Sequence, residues 1–140
     1  LSSYFFITFP RKSLDYALEK TMTEIVNLNE KFALFSEQWS PKIAGELNDS
    51  YIKLAKVEGE FVWHHHENED ELFFVVKGTL TIKLHERDLI AREGEFVIIP
   101  RGEEHMPVAE DEVWIMLLEP KTTSNTGNVE NERTVTAEWI

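Results

Sequence analysis

Gly59-Glu60-Phe61-Val62-Trp63-His64-His65-His66-Glu67-Asn68-Glu69-Asp70-Glu71-Leu72-Phe73-Phe74-Val75-Val76-Lys77-Gly78 is the stretch on which the reading of this chain turns. Two apolar runs flank an acidic turn, and a strand's period of two sorts their side chains into faces. Read as a strand, Phe61 to His66 puts His64 and His66 on one face and His65 on the other. On the next run Glu71, Phe73 and Val75 share a face, so an inward Glu71 arrives with apolar neighbours that exclude water. His105, after the Pro100-Arg101-Gly102 turn, is placed to close the same site from another strand. A His-x-His pair alone is a weak signal, since beside the run 67 to 71 it also describes a solvated turn. The further residues at fixed spacing strengthen it.

Outward from this stretch, the chain continues as brief runs rich in Val, Ile, Phe and Leu, each ended by Gly, Pro, Asn or Asp. The expected strands are Ile43 to Leu47, Tyr51 to Val57, Phe61 to His66, Leu72 to Val76, Thr79 to Leu84, Asp88 to Ala91, Phe96 to Ile99 and Val113 to Leu118. Many short, evenly spaced strands must close or double up to hide their edges, which predicts an all-β barrel or sandwich. Ahead of them, Asn29 to Phe35 predicts a helical turn or two, with Asn29 as its cap. Residues 121 to 131 are polar and turn-rich, a tail segment expected to cross the surface. Val135 to Ile140 turn apolar again, so the tail is expected to dock on the barrel or on a partner subunit.

Composition narrows the function classes. With 140 residues the chain fits one domain with a core of its own. Absence of cysteine excludes disulfides, zinc ribbons and thiol nucleophiles, so any metal is held by nitrogen and oxygen. A formal charge of −12 repels phosphate backbones and argues against a nucleic-acid partner. Tyr4 to Phe9 makes a poor signal peptide, because Arg11-Lys12 follow it rather than precede it. No stretch approaches the roughly 20 apolar residues of a membrane span, which leaves a cytoplasmic protein without a membrane partner as the expectation. Met22-Thr23-Glu24-Ile25-Val26-Asn27 reads like a natural start, so residues 1–21 are expected to be an upstream or added extension, 22–120 the barrel and 121–140 the tail.

The four residues His64, His66, Glu71 and His105 make a borderline-to-hard ligand set suited to Fe, Mn, Ni, Co or Zn, and six-coordination leaves two positions for water or substrate. Their setting resembles the cupin superfamily. Gly59, His64, His66, Glu71 and Gly78 are similar to its first motif, with four residues between His66 and the glutamate and six from there to Gly78. Gly94, Pro100, Gly102 and His105 resemble the second, at the short separation of a small single-domain cupin. The likeness extends over about residues 40 to 120. It departs from the pattern twice: four residues rather than five separate Gly59 from His64, and Ala109 stands where the second motif ends in Asn. Asp70 is a rival carboxylate at the shorter family spacing, with Glu71 preferred because six residues then lead to Gly78.

The resemblance implies a jelly-roll barrel, that is, a double-stranded β-helix, preceded by a short helical or extended segment. Its metal ligands lie inside, and it frequently forms a homodimer. Cupins include dioxygenases, isomerases, decarboxylases, sugar-binding regulators and storage proteins, so the fold names no reaction. The first expectation is a metal-dependent enzyme of dioxygenase or isomerase type acting on a small oxygen-bearing substrate. The second is a non-catalytic module that binds or senses a sugar or acid. A degenerate cupin keeping only the scaffold ranks third, because the ligand set is intact. Phe73, Phe74, Trp114, Met116 and Leu118 read as core or pocket wall, with Trp63 similar, and His85 as solvent-facing. No general acid or base stands out: Glu103 and Glu104 read as surface residues on a turn, and Lys53 has no assigned place.

Overall fold

Alternation of side chains builds the barrel. The computed structural model describes residues 23–140, so the expectations for residues 1–21 and for Met22 as a start lie outside the described residues. In the long strand Met106–Pro120, Val113, Ile115, Leu117 and Glu119 are buried at every second position. Phe73 and Val75 do the same in Glu71–Lys77, and Lys53, Ala55 and Val57 in Ser50–Glu60. Numbered along the described chain, the elements are α1 (Leu28–Phe32), β1 (Lys42–Leu47), β2 (Ser50–Glu60), β3 (Glu71–Lys77), β4 (Thr79–Lys83), β5 (Asp88–Arg92), β6 (Phe96–Ile99), β7 (Met106–Pro120) and β8 (Glu138–Trp139).

β7 is the spine. β2 runs antiparallel along one of its edges, from Ser50 opposite Pro120 to Glu60 opposite Val108. The other edge is divided: β4 pairs with the start of β7, Lys83 opposite Met106, and β3 with its end, Leu72 opposite Leu118. β5 adds outside β4, β6 outside β3, and β1 outside β2, all antiparallel. β8 lies parallel on β1, so the chain's last residues return to the barrel, and Ile140 N–H donates to the Ile43 carbonyl at 3.1 Å. The architecture is the expected jelly-roll barrel.

Two apolar clusters result. Ala55, Val57, Phe73, Val75, Leu80, Ile82, Ile115 and Leu117 belong to the interior. Outside, α1 lays the fully buried Phe32 against Leu54 and stacks it on Trp114, ring centroids 4.7 Å apart. Lys56 and Lys77 cover the Trp114 ring with their ammonium groups at 5.0 and 4.6 Å. The turn from β3 to β4 needs glycine: Gly78 has φ +91°, and a Cβ there would stand 3.2 Å from the Glu112 carbonyl oxygen.

Three elements differ from expectation. The helix spans Leu28–Phe32 and is capped by Asn27, whose side chain accepts from Glu30 N–H at 3.0 Å, so Asn29 lies inside it. Phe61 to His66 is not a strand. It faces the start of β7 and the residues just before it; Phe61 N–H donates to the Pro107 carbonyl, but Pro107 has no N–H to return, so the ladder shrinks to the pair His64 and His105. β7 starts at Met106 instead of Val113, because Glu110, Asp111 and Glu112 are an exposed stretch of one continuous strand rather than a loop.

Truncation at the outer cluster has a defined expectation. Phe32→Ala lowers unfolding free energy by about 3–5 kcal/mol, whereas Leu34→Ala, at a 64% exposed residue, stays within about 0.5 kcal/mol. Denaturant titration of the two variants checks this.

Candidate metal centre

His64 and His105 face each other across a bridge of two backbone hydrogen bonds, 3.1 and 2.9 Å long. Each ring is oriented from its own segment: His64 Nδ1 donates to the Val62 carbonyl and His105 Nδ1 to the Glu103 carbonyl, both at 2.9 Å. A proton committed on Nδ1 leaves the lone pair on Nε2. His66 enters two residues after His64, its backbone carbonyl held by Gly102 N–H at 2.8 Å. Glu71 enters as the first residue of β3, with Phe73 and Val75 behind it on the same face.

The four side chains are buried, and one ligand atom from each lies within 4.8 Å of the other three. Glu71 Oε2 is 3.1 Å from His66 Nε2 and 3.3 Å from His105 Nε2. Neither approach has hydrogen-bond geometry, so His66 Nε2, His105 Nε2 and Glu71 Oε2 are buried without a partner. Such atoms cost about 1–3 kcal/mol each when left unsatisfied. Bonds of about 2.0–2.2 Å to one ion put neighbouring ligand atoms about 3 Å apart, so the cluster has the size of a coordination sphere.

Electrostatics agree. Burial, reinforced by the neighbouring His105, pushes His64 down to about 4. Burial acts to raise Glu71, but the facing imidazoles of His105 and His66 win and hold it below the usual carboxylate range. Burial likewise opposes a charge on His105, and Glu71 overcomes it, leaving His105 raised. His64 and Glu71 also border a small, largely apolar cavity of about 40 Å³, walled by Trp39, Phe61, Phe73 and Leu117.

The family model described as a cupin domain matches residues 50–119, half of the chain. The chain belongs to the cupin domain family. It is 35% identical over 79 residues to the protein YdbB of Bacillus subtilis (strain 168), a match covering 56% of this chain and 64% of that relative. The chain thus spans just under two thirds of the curated relative. A cupin-2 domain containing protein from Shewanella frigidimarina NCIMB 400 is 47% identical, with TM-score 0.69 over 69% of this chain and 95% of that one. A protein from Neisseria meningitidis is 28% identical, with TM-score 0.65 over 70% and 100%.

In this cupin the rival carboxylate Asp70 is turned outward, accepting from Arg101 N–H at 2.9 Å and Nε at 3.3 Å. Ala109 is buried in the core opposite Gly59, so an apolar contact stands where the motif's Asn is missing. His65 faces away and meets Glu67 at 2.9 Å. His85 is exposed as expected, though stacked on Trp63 at 4.5 Å and bound to Glu104 at 2.8 Å. The tail does more than cross the surface. Asn128 pairs with the backbone of His65 in both directions, 2.8 and 3.0 Å, and Thr126 is fully buried. Gly127, at φ +55°, lies so close that a Cβ would run into the His65 carbonyl, and Asn125 reaches the cavity wall. The tail thereby pins the backbone that carries His64 and His66.

Two residues escaped the sequence reading. Lys53 and Glu119 are 4% and 2% exposed, and Lys53 Nζ donates to Glu119 Oε1 at 2.8 Å. Glu119 lines the same cavity as Glu71 and is pushed up by burial and by the Glu71 charge, against the pull of Lys53. The available signal was alternation, since Glu119 is in phase with Val113, Ile115 and Leu117. An expected strand end at Leu118 hid it.

The shifts set the pH dependence of the metal-free protein. His64 binds a proton near 6.5 when unfolded and only near 4 when folded, so its contribution is present above pH 6.5 and lost as pH falls toward 4. Glu71 acts in the same sense below its unfolded value, and raised His105 in the opposite sense, giving stability below 6.5 that is lost as pH rises through its folded value. Raised Glu119 acts in the sense of His105, so the His64 share, up to about 3 kcal/mol between pH 7 and 4.5, is read as the difference between the chelator-treated wild type and His64→Gln. Denaturant titrations across that range should show the wild type losing stability relative to His64→Gln as pH falls.

Proposed function

We propose that this cupin holds one divalent first-row metal ion at His64, His66, Glu71 and His105, and that a small oxygen-bearing metabolite binds beside it in the apolar cavity. What carries the reading is the convergence of four buried side chains at one point, where His66 Nε2, His105 Nε2 and Glu71 Oε2 meet one another without a well-formed hydrogen bond. Three imidazoles and one carboxylate suit Fe, Mn, Ni, Co or Zn. When bound, such an ion supplies a Lewis acid that polarises a ligand oxygen, or a redox centre if it is iron.

The chain's own residues do the rest. Backbone carbonyls of Val62 and Glu103 fix the tautomers of His64 and His105 before any ion arrives. Trp39, Phe61, Phe73 and Leu117 exclude water and give the metabolite an apolar surface, while the Asn125 amide, bonded to the Arg133 carbonyl and the Val135 N–H, holds the tail at the cavity wall. A second reading, recognition of a sugar or acid without turnover, has one observation in its favour. Among the described residues, the polar side chains lining that cavity besides His64 and Glu71 are Asn125 and Glu119, and Glu119 is tied to Lys53.

Metal analysis after dialysis against each of the five ions tests the site. One equivalent is expected in the wild type and none in His64→Ala/His105→Ala; equal content in both would overturn the assignment. Affinity should fall from pH 8 to 5 as protons compete for the imidazoles, and a pH-independent affinity would contradict it. Turnover of small hydroxy, keto and phenolic acids by the loaded protein, against binding without turnover, separates the enzyme from the binding module.

A further inference from the structure

The Lys53–Glu119 pair needs an explanation that stability does not supply. Both side chains are buried inside the barrel, and apolar residues of similar volume would fill the same space at no loss, since desolvating two charges offsets most of their attraction. What distinguishes the pair is its neighbour. β3 and β7 pair Leu72 with Leu118, which brings Glu71 and Glu119 to adjoining strands at the same level, and both carboxyl groups line one cavity. The interior therefore runs from the Lys53 ammonium through Glu119 to Glu71 and on to the three imidazoles. Oε2 of Glu119 has no partner, whereas Oε1 is spent on Lys53.

We propose that Glu119 is a positioning residue that occupies the Lys53 ammonium, so that the Glu71 carboxylate is left for the cation. The inference rests on the proposed metal site and concerns what surrounds it. With a dication on the four ligands, the interior holds a second cation, the Lys53 ammonium, which the Glu119 carboxyl binds at 2.8 Å. Without Glu119 that ammonium has no carboxyl of its own, in a medium where charges are weakly screened. Lys53 would then turn to Glu71, the one buried carboxylate remaining in the cavity wall among the described residues, and compete with the cation for it. The carboxylate that ligates a metal is oriented by what its outer side meets, and changes there alter affinity by about 10- to 100-fold.

The two residues therefore act with opposite signs. Glu119→Gln should weaken Co(II) binding by about 10- to 100-fold and shift the visible cobalt bands, while its metal-free form stays folded because Lys53 and Glu71 balance each other. Lys53→Met should tighten Co(II) binding by about the same order, since it removes the competitor, and the double variant should return to near the wild-type value. Competition against a chelator gives the affinities, and thermal unfolding of the metal-free proteins gives stability separately. A pair with only a structural role would change stability and leave both affinities alone. That result, or two single variants shifted in the same direction, would overturn the proposal. If one single variant does not fold, the sign of the other decides. Failure of the wild type to bind Co(II) would overturn the metal site itself, whereas wild-type binding with indifferent variants would overturn the role of Glu119 alone.

Discussion

Buried polar atoms gathered without well-formed hydrogen bonds are the constraint around which this barrel is arranged. His66 Nε2, His105 Nε2 and Glu71 Oε2 lie where water is excluded, and each forfeits a hydrogen bond it would have in solvent. A fold whose net stability is small does not gather several such atoms at one point without a use for them. Their neighbours show how the arrangement is held. His64 and His105 are locked to each other through backbone hydrogen bonds, and the rings are turned by carbonyls two residues earlier. The site is organised before anything binds, which is what a metal centre of defined geometry requires.

The scaffold delivers the four residues from three directions. The 61–66 segment and the approach to β7 bring the imidazoles, and β3 brings the carboxylate. β7, paired with β2 along one edge and with β4 and then β3 along the other, keeps these segments in register. The tail is part of this apparatus. Asn128 holds His65 from outside while His64 and His66 point inward, and Gly127 permits the close approach. Sequence distant from the ligands thus fixes their backbone.

The legible part of the site followed from short-range rules. A period of two put His64 and His66 together and His65 apart even though the segment proved too irregular for a strand, because side-chain alternation survives the loss of the ladder. Spacing chose Glu71 over Asp70, and the outward contact of Asp70 with Arg101 agrees. What was not legible depends on contacts between distant segments. Lys53 on a strand has no assigned place until Glu119 is found inside beside it. Nothing in the polar run 121 to 131 announces that Thr126 is buried or that Gly127 packs on His65. The helix cap differed for a local reason, since Asn27 and Asn29 are both capping residues and only Asn27 sits at the extended entry to the first turn.

The most direct measurement is a crystal structure of the protein grown with Co(II), with data collected on both sides of the cobalt absorption edge. The expected result is a single buried anomalous peak about 2.0–2.2 Å from the Nε2 atoms of His64, His66 and His105 and from an oxygen of Glu71. The contrary result is an absence of signal among the three imidazoles, with the Glu71 carboxylate turned toward Lys53.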